Sequence, residues 1–127
     1  MHVILVRHAK AAPGKPDALR ELTSSGREAA ALLGELLAER RVDAVVTSPL
    51  VRARQTAEII AAAVGLEPIL DERLAPGATV ERVRAAVMGR GETVVAVGHQ
   101  PDCSEIVLAL TGREVEFPTA GLAELEL

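Results

Sequence analysis

Aromatic side chains are almost missing from this chain of 127 residues: Phe117 stands alone, with no tryptophan and no tyrosine. Stacking platforms for unpaired bases cannot be built from one ring, which excludes a single-stranded nucleic-acid binder of that design. A surplus of positive charge is missing too. Lysine and arginine total 14 against 18 acidic residues, and the cations are scattered, so a phosphate-backbone binder is also excluded. Cys103 is the single cysteine, so no internal disulfide forms, and a reducing compartment suits the chain. It reads as a small packing residue. No apolar run reaches membrane-spanning length, and the N-terminal run Val3–Val6 lacks the flanks of a signal peptide. The expected location is the cytoplasm, away from membranes.

What is present is aliphatic and ordinary in amount. Hydrophobic residues make up 49% of the chain, which at this length suffices for the core of one domain, expected over 1–127. Strand-like and helix-like stretches alternate. The run Val3-Ile4-Leu5-Val6 predicts a buried strand over 2–7, and strands follow at 42–47, 67–70 (weak), 93–98 and 122–127. Helices are expected over 25–40, 49–64, 80–89 and 102–111. Ser25 and Glu28 fit a capping box for the first, with Ala29, Leu32, Leu33, Leu36 and Leu37 as its apolar stripe. Ser48 and Pro49 suit the N-cap and first turn of the second, and Gly65 and Gly112 suit helix ends. Val80, Val83, Val87 and Met88 form the apolar side of the third. Such alternation predicts an α/β fold: a three-layer α/β/α sandwich with a mainly parallel central sheet. The stretch 10–22, with Pro13, Gly14 and Pro16, is a long loop for such a fold, and long loops are often functional.

Three strand ends carry the chemistry. Arg7-His8 ends the first strand, Ser48-Pro49 the second, with Arg52 just beyond, and His99 the fourth. Open α/β sheets place ligand sites at this edge. A phosphoryl group in transfer spreads negative charge over its oxygens, so catalysis is mostly positioning and charge stabilisation. Arginine supplies a planar, permanently charged fork for those oxygens. A neutral imidazole is a nucleophile near pH 7. The start of the helix after Ser48 adds free backbone amides. Arg54 is offset along that helix and reads as a surface charge, and His2 lies outside every motif.

The stretches Leu5-Val6-Arg7-His8-Ala9, Ser48-Pro49-Leu50-Val51-Arg52-Ala53-Arg54-Gln55-Thr56-Ala57 and Val97-Gly98-His99-Gln100-Pro101 resemble, in order, three motifs of the histidine phosphatase (phosphoglycerate mutase-like) superfamily. Arg20-Glu21-Leu22-Thr23-Ser24-Ser25-Gly26 is similar to a further stretch common there. The resemblance spans essentially the whole chain. It implies the phosphoglycerate mutase-like fold, His8 as the nucleophile that becomes phosphorylated, and a phosphate pocket of Arg7, Arg52 and His99. A protonated His99 would then donate to a phosphoryl oxygen, and water would release phosphate from His8. No metal or other cofactor is used in that family.

Larger relatives carry an inserted cap and an acidic proton donor; this chain is short and most resembles the small bacterial phosphohistidine phosphatases of the SixA type. The implied partner is a phosphorylated histidine-containing protein, with a small phosphate ester as the alternative substrate. Two residues stay open at this stage: Arg20 suits a substrate contact or a salt bridge, and Glu72 a proton donor or a solvated carboxylate. A metal site on His8 and His99 would need a third ligand, and no His-x-x-x-His or Asp-x-His spacing supplies one. A non-catalytic phosphate-binding module is the reading from a different class. Retention of both histidines speaks against it.

Overall fold

The computed structural model describes all residues 1–127, and it is an α/β sandwich. Five strands, β1 (His2–Arg7), β2 (Ala44–Thr47), β3 (Pro68–Leu70), β4 (Thr93–Gly98) and β5 (Leu122–Glu126), form one sheet in the order β3-β2-β4-β1-β5. Every pairing is parallel except that of β1 with β5. Four helices cover the sheet: α1 (Ser24–Leu37), α2 (Val51–Val64), α3 (Val80–Val87) and α4 (Asp102–Thr111).

The three central strands β2, β4 and β1 are buried on both faces, which is why they read as continuous apolar runs, while the edge strands β3 and β5 are partly exposed. Alternation along β1 sends Val3 and Leu5 to one side, where Val87, Ile106 and Val107 of α3 and α4 meet them. Ile4 and Val6 point to the other side, against Leu33 and Leu37 of α1 and Ala57, Ile60 and Ala61 of α2. With one phenylalanine available, the layers close through small aliphatic side chains rather than rings.

The helix details differ from the sequence expectation in instructive ways. Thr23, not Ser25, caps α1, its hydroxyl accepting from the Gly26 amide at 2.9 Å. Its buried face is Gly26, Ala30, Leu33, Gly34 and Leu37, while Leu32 and Leu36 lie exposed. Close approach explains the rotation. A Cβ on Gly26 would collide with the Lys10 carbonyl, and one on Gly34 would press on Ala63 of α2. Small residues, alongside Leu33 and Leu37, mark the contact. Met88 likewise falls outside α3 and is exposed. Helix α2 begins at Val51 behind an extended Leu50, so Pro49 precedes the helix and Ser48 is not its N-cap. Gly65 and Gly112 do end α2 and α4 in the left-handed conformation.

The loop after β1 is held rather than free. Its ends pair through Ala11 and Leu22, and Asp17–Leu19 form a single 3-10 turn. A second such turn, Glu72–Leu74, follows β3. No helix is long and apolar enough to cross a membrane.

Candidate active site

Strand order decides what meets at the sheet edge. Because β2, β4 and β1 are adjacent and parallel, the residues following each lie side by side: Ser48, His99 and His8. Backbone bonds carry the ladder one residue past the strands, His8 N–H donating to Gly98 O and Ser48 N–H to Val97 O, both at 3.0 Å. On the other flank, Ala120, at φ 60°, donates its N–H to the carbonyls of Arg7 and His8 at 3.1 Å. A non-glycine residue in that region costs backbone energy, so the turn before β5 is strained where it grips Arg7-His8.

His8 is buried and its ring is oriented. Nδ1–H donates to the Ala9 carbonyl at 2.7 Å, which leaves Nε2 as the bare nitrogen of the neutral ring. Burial lowers its pKa, the Ala9 bond opposes that, and the charges of Arg52, Arg7 and Arg20 add to the lowering. His8 therefore stays neutral, and nucleophilic, to a lower pH than a free histidine. His99 faces it with ring centroids 5.3 Å apart. Burial, with the nearby His8 and Arg52, pushes His99 down to about 4. Its Nε2 lies 2.8 Å from Ser48 Oγ, and its Nδ1 is buried without a partner.

The arginines are anchored from behind. Arg7 donates to the Phe117 carbonyl at 2.9 Å and keeps a buried, unpaired Nε. Arg52 is buried on the first turn of α2 and donates to both the carbonyl and the carboxylate of Asp17, at 3.0 and 3.1 Å. Asp17 also accepts from Arg20 at 3.1 Å, and these two guanidinium groups hold its carboxyl below the usual range, Arg20 foremost. The Asp17 carboxylate thus pairs with the Arg52 guanidinium. Arg20 pairs with Asp17 and donates a further bond to the Ala12 carbonyl.

Three residues missed in the sequence build this arrangement. Thr56 Oγ accepts the Ala9 amide at 3.0 Å and donates to the Arg52 carbonyl at 2.8 Å, joining the neighbour of His8 to the helix that carries Arg52. Gln55 accepts the Leu22 amide and donates to Glu21, tying down the far end of the loop. Asp17 is the third. Thr56 and Gln55 stood inside the Arg-x-Arg-Gln-Thr-Ala stretch, where a polar pair on a helix was the available signal; Asp17 had none.

Arg54 is half-buried rather than a freely solvated charge: its Nε is buried without a hydrogen-bond partner, 3.9 Å from Glu58. His2 pairs with Glu124 and Glu126 on β5. Burial pushes the Cys103 thiol up to about 12, so it is an inert packing group. Glu72 is exposed at the start of its 3-10 turn, one residue after Asp71, whose amide donates to the Thr47 carbonyl at 2.9 Å. No three His, Cys, Asp or Glu side chains come together as a ligand set for a metal ion.

The profile of the histidine phosphatase superfamily (branch 1) matches residues 3–76. The chain belongs to that superfamily. It is 36% identical to an uncharacterized protein of Picosynechococcus over 98% of this chain and 84% of that one. Its structure is similar to that of the protein histidine phosphatase SixA complexed with tungstate, at TM-score 0.88 and 28% identity over 100% of this chain and 88% of the other. A protein of Agrobacterium tumefaciens assigned as the phosphohistidine phosphatase SixA superposes at TM-score 0.83, with 30% identity over 98% of this chain and 90% of that one. The fold is thus phosphoglycerate mutase-like, and the chain is a phosphatase of this superfamily acting on a phosphorylated substrate.

Proposed function

We propose that this protein removes phosphate from phosphohistidine on another protein through a phosphoryl intermediate on His8, without a metal. The observation that carries the reading is the state of His8: its Nδ1 is committed to the Ala9 carbonyl and its Nε2 is free, on a ring near the charges of Arg52 and Arg7 and 5.3 Å, centre to centre, from the ring of His99. Nε2 attacks phosphorus as the substrate's P–N bond breaks. The departing imidazole keeps the bonding electron pair and takes a proton from water. A second water then attacks phosphorus, the bond to His8 breaks, and phosphate leaves as the water proton is lost to solvent. Arg7 and Arg52 neutralise charge on the transferred oxygens in both steps. Tungstate, bound by the related SixA, has the tetrahedral shape of phosphate and supports the same use for this pocket.

The protein substrate is favoured by what surrounds the edge. Between β3 and β4 the chain spends its length on one 3-10 turn and the eight-residue α3, so no inserted lid encloses a small ester there. Without a lid, little remote binding energy is available to orient a small molecule. A protein surface supplies contacts beyond the pocket, and phosphohistidine has a leaving group that needs no dedicated acid. A broad small-molecule phosphomonoesterase is the second reading, and the position of Glu72 just past the Thr47–Asp71 contact favours it. The deciding experiment compares kcat/KM on a phosphorylated histidine-phosphotransfer domain and on alkyl phosphates, with and without Glu72→Gln. The protein substrate should lead and be indifferent to Glu72→Gln. An alkyl phosphate that leads, and is lost with Glu72→Gln, overturns the reading.

A further inference from the structure

The contact between Ser48 and His99 has a direction that burial fixes. Ser48 is fully buried and His99 is 3% exposed. The Ser48 hydroxyl oxygen already accepts the Leu50 amide at 3.3 Å. Its own hydrogen then has a single acceptor in reach, Nε2 of His99 at 2.8 Å. If Nε2 carried the proton instead, two buried groups would go unmet, the hydroxyl hydrogen and the Nδ1 lone pair, against the Nδ1–H alone when the hydroxyl donates, and each unmet buried group is costly. With the hydroxyl donating, the neutral ring carries its single hydrogen on Nδ1. That is the atom left buried without a protein partner, on a ring that faces His8.

We infer that Ser48 is a positioning residue: by donating to Nε2 it holds neutral His99 as the Nδ1–H tautomer, a hydrogen-bond donor to a phosphoryl oxygen beside His8. The tautomer belongs to the free protein; only its use on a phosphoryl group rests on the function proposed above. An imidazolium is not required for this role. The groups facing His99 are His8 at the end of β1, Arg52 of α2 and Asp17 of the 3-10 turn; the first two, with burial, oppose a positive charge, and Asp17 favours it. Their balance keeps the ring neutral at ordinary pH. A neutral ring can help an oxyanion with only one of its tautomers, since the other turns a lone pair toward it.

Nitrogen-15 spectra of histidine-labelled protein at neutral pH test the tautomer directly: the proton is expected on Nδ1 of His99, and a proton on Nε2 overturns the inference. Kinetics with an aryl phosphate test its consequence. Ser48→Ala should lower kcat about tenfold to a hundredfold, somewhat less than outright loss of an oxyanion donor. KM should barely move. Ser48→Thr keeps the hydroxyl and should restore kcat, which a loss of packing alone would not require. Unaltered kcat in Ser48→Ala refutes the role; if that variant does not fold, the spectra and Ser48→Thr decide. An unaltered protein that turns over no phosphate at all refutes the proposed function while leaving the tautomer result standing.

Discussion

Replacing Thr56 with valine tests whether the scaffold behind the site is built as described. The change keeps the shape of the side chain and removes one hydroxyl, which sits fully buried between the Ala9 amide and the Arg52 carbonyl. The carbonyl lies in a helix and retains a backbone partner. The Ala9 amide does not, and Ala9 is itself fully buried. Stranding one buried donor costs about 1–3 kcal/mol, and the middle of that range is the expectation. For 127 residues, an unfolding entropy of about 2.1 cal/mol/K per residue turns ~2 kcal/mol into a fall in Tm of about 7 °C. Activity should fall by more than stability explains, because the Ala9 carbonyl that orients His8 belongs to the segment Thr56 holds. Thermal and urea unfolding, with kcat measured well below the transition, read both effects. Thr56→Ser restores the hydroxyl and should recover most of each. A Thr56→Val protein within about 0.5 kcal/mol of the original, the range of surface substitutions, would refute the reasoning.

Three further outcomes follow from the site. His99 takes up its proton at about 4 when folded against 6.5 as a free side chain, so the unfolded chain binds that proton first. Its contribution is complete above pH 6.5 and is lost as pH falls toward 4, a change of about 3 kcal/mol that His99→Gln should remove from the stability–pH curve. Asp17→Asn takes a competing carboxylate off Arg52, so inhibition by inorganic phosphate or tungstate should become severalfold stronger; weaker or equal inhibition contradicts the competition. Activity should survive exhaustive chelation, and loss to EDTA with recovery on zinc or magnesium would contradict a site built from two histidines and two arginines.

The middle of the sheet was legible because its three central strands are buried on both faces, so that Val3–Val6, Ala44–Val46 and Val94–Val97 announce themselves as apolar runs. The convergence of His8, Ser48 and His99 followed from their places after parallel strands. What escaped was everything set by close backbone approach or by long-range polar contact. Gly26 and Gly34 face the neighbours of α1 because nothing larger fits, and no hydrophobicity pattern marks a glycine as buried. Ser48 looked like a helix cap because the motif of a serine before a proline suits one; its amide is instead drawn into the ladder by Val97, and its hydroxyl faces a histidine 51 residues away. Asp17 reaches Arg52 across 35 residues, a pairing that no local pattern encodes.

The central claim is that phosphate passes through His8. Rapid quenching of the protein with a labelled phosphodonor, followed by peptide mapping, tests it most directly. The account predicts an acid-labile, base-stable label on His8 that forms and decays fast enough to lie on the path, and no label or turnover in His8→Ala. Undiminished turnover in His8→Ala, or a label on another residue, would contradict it.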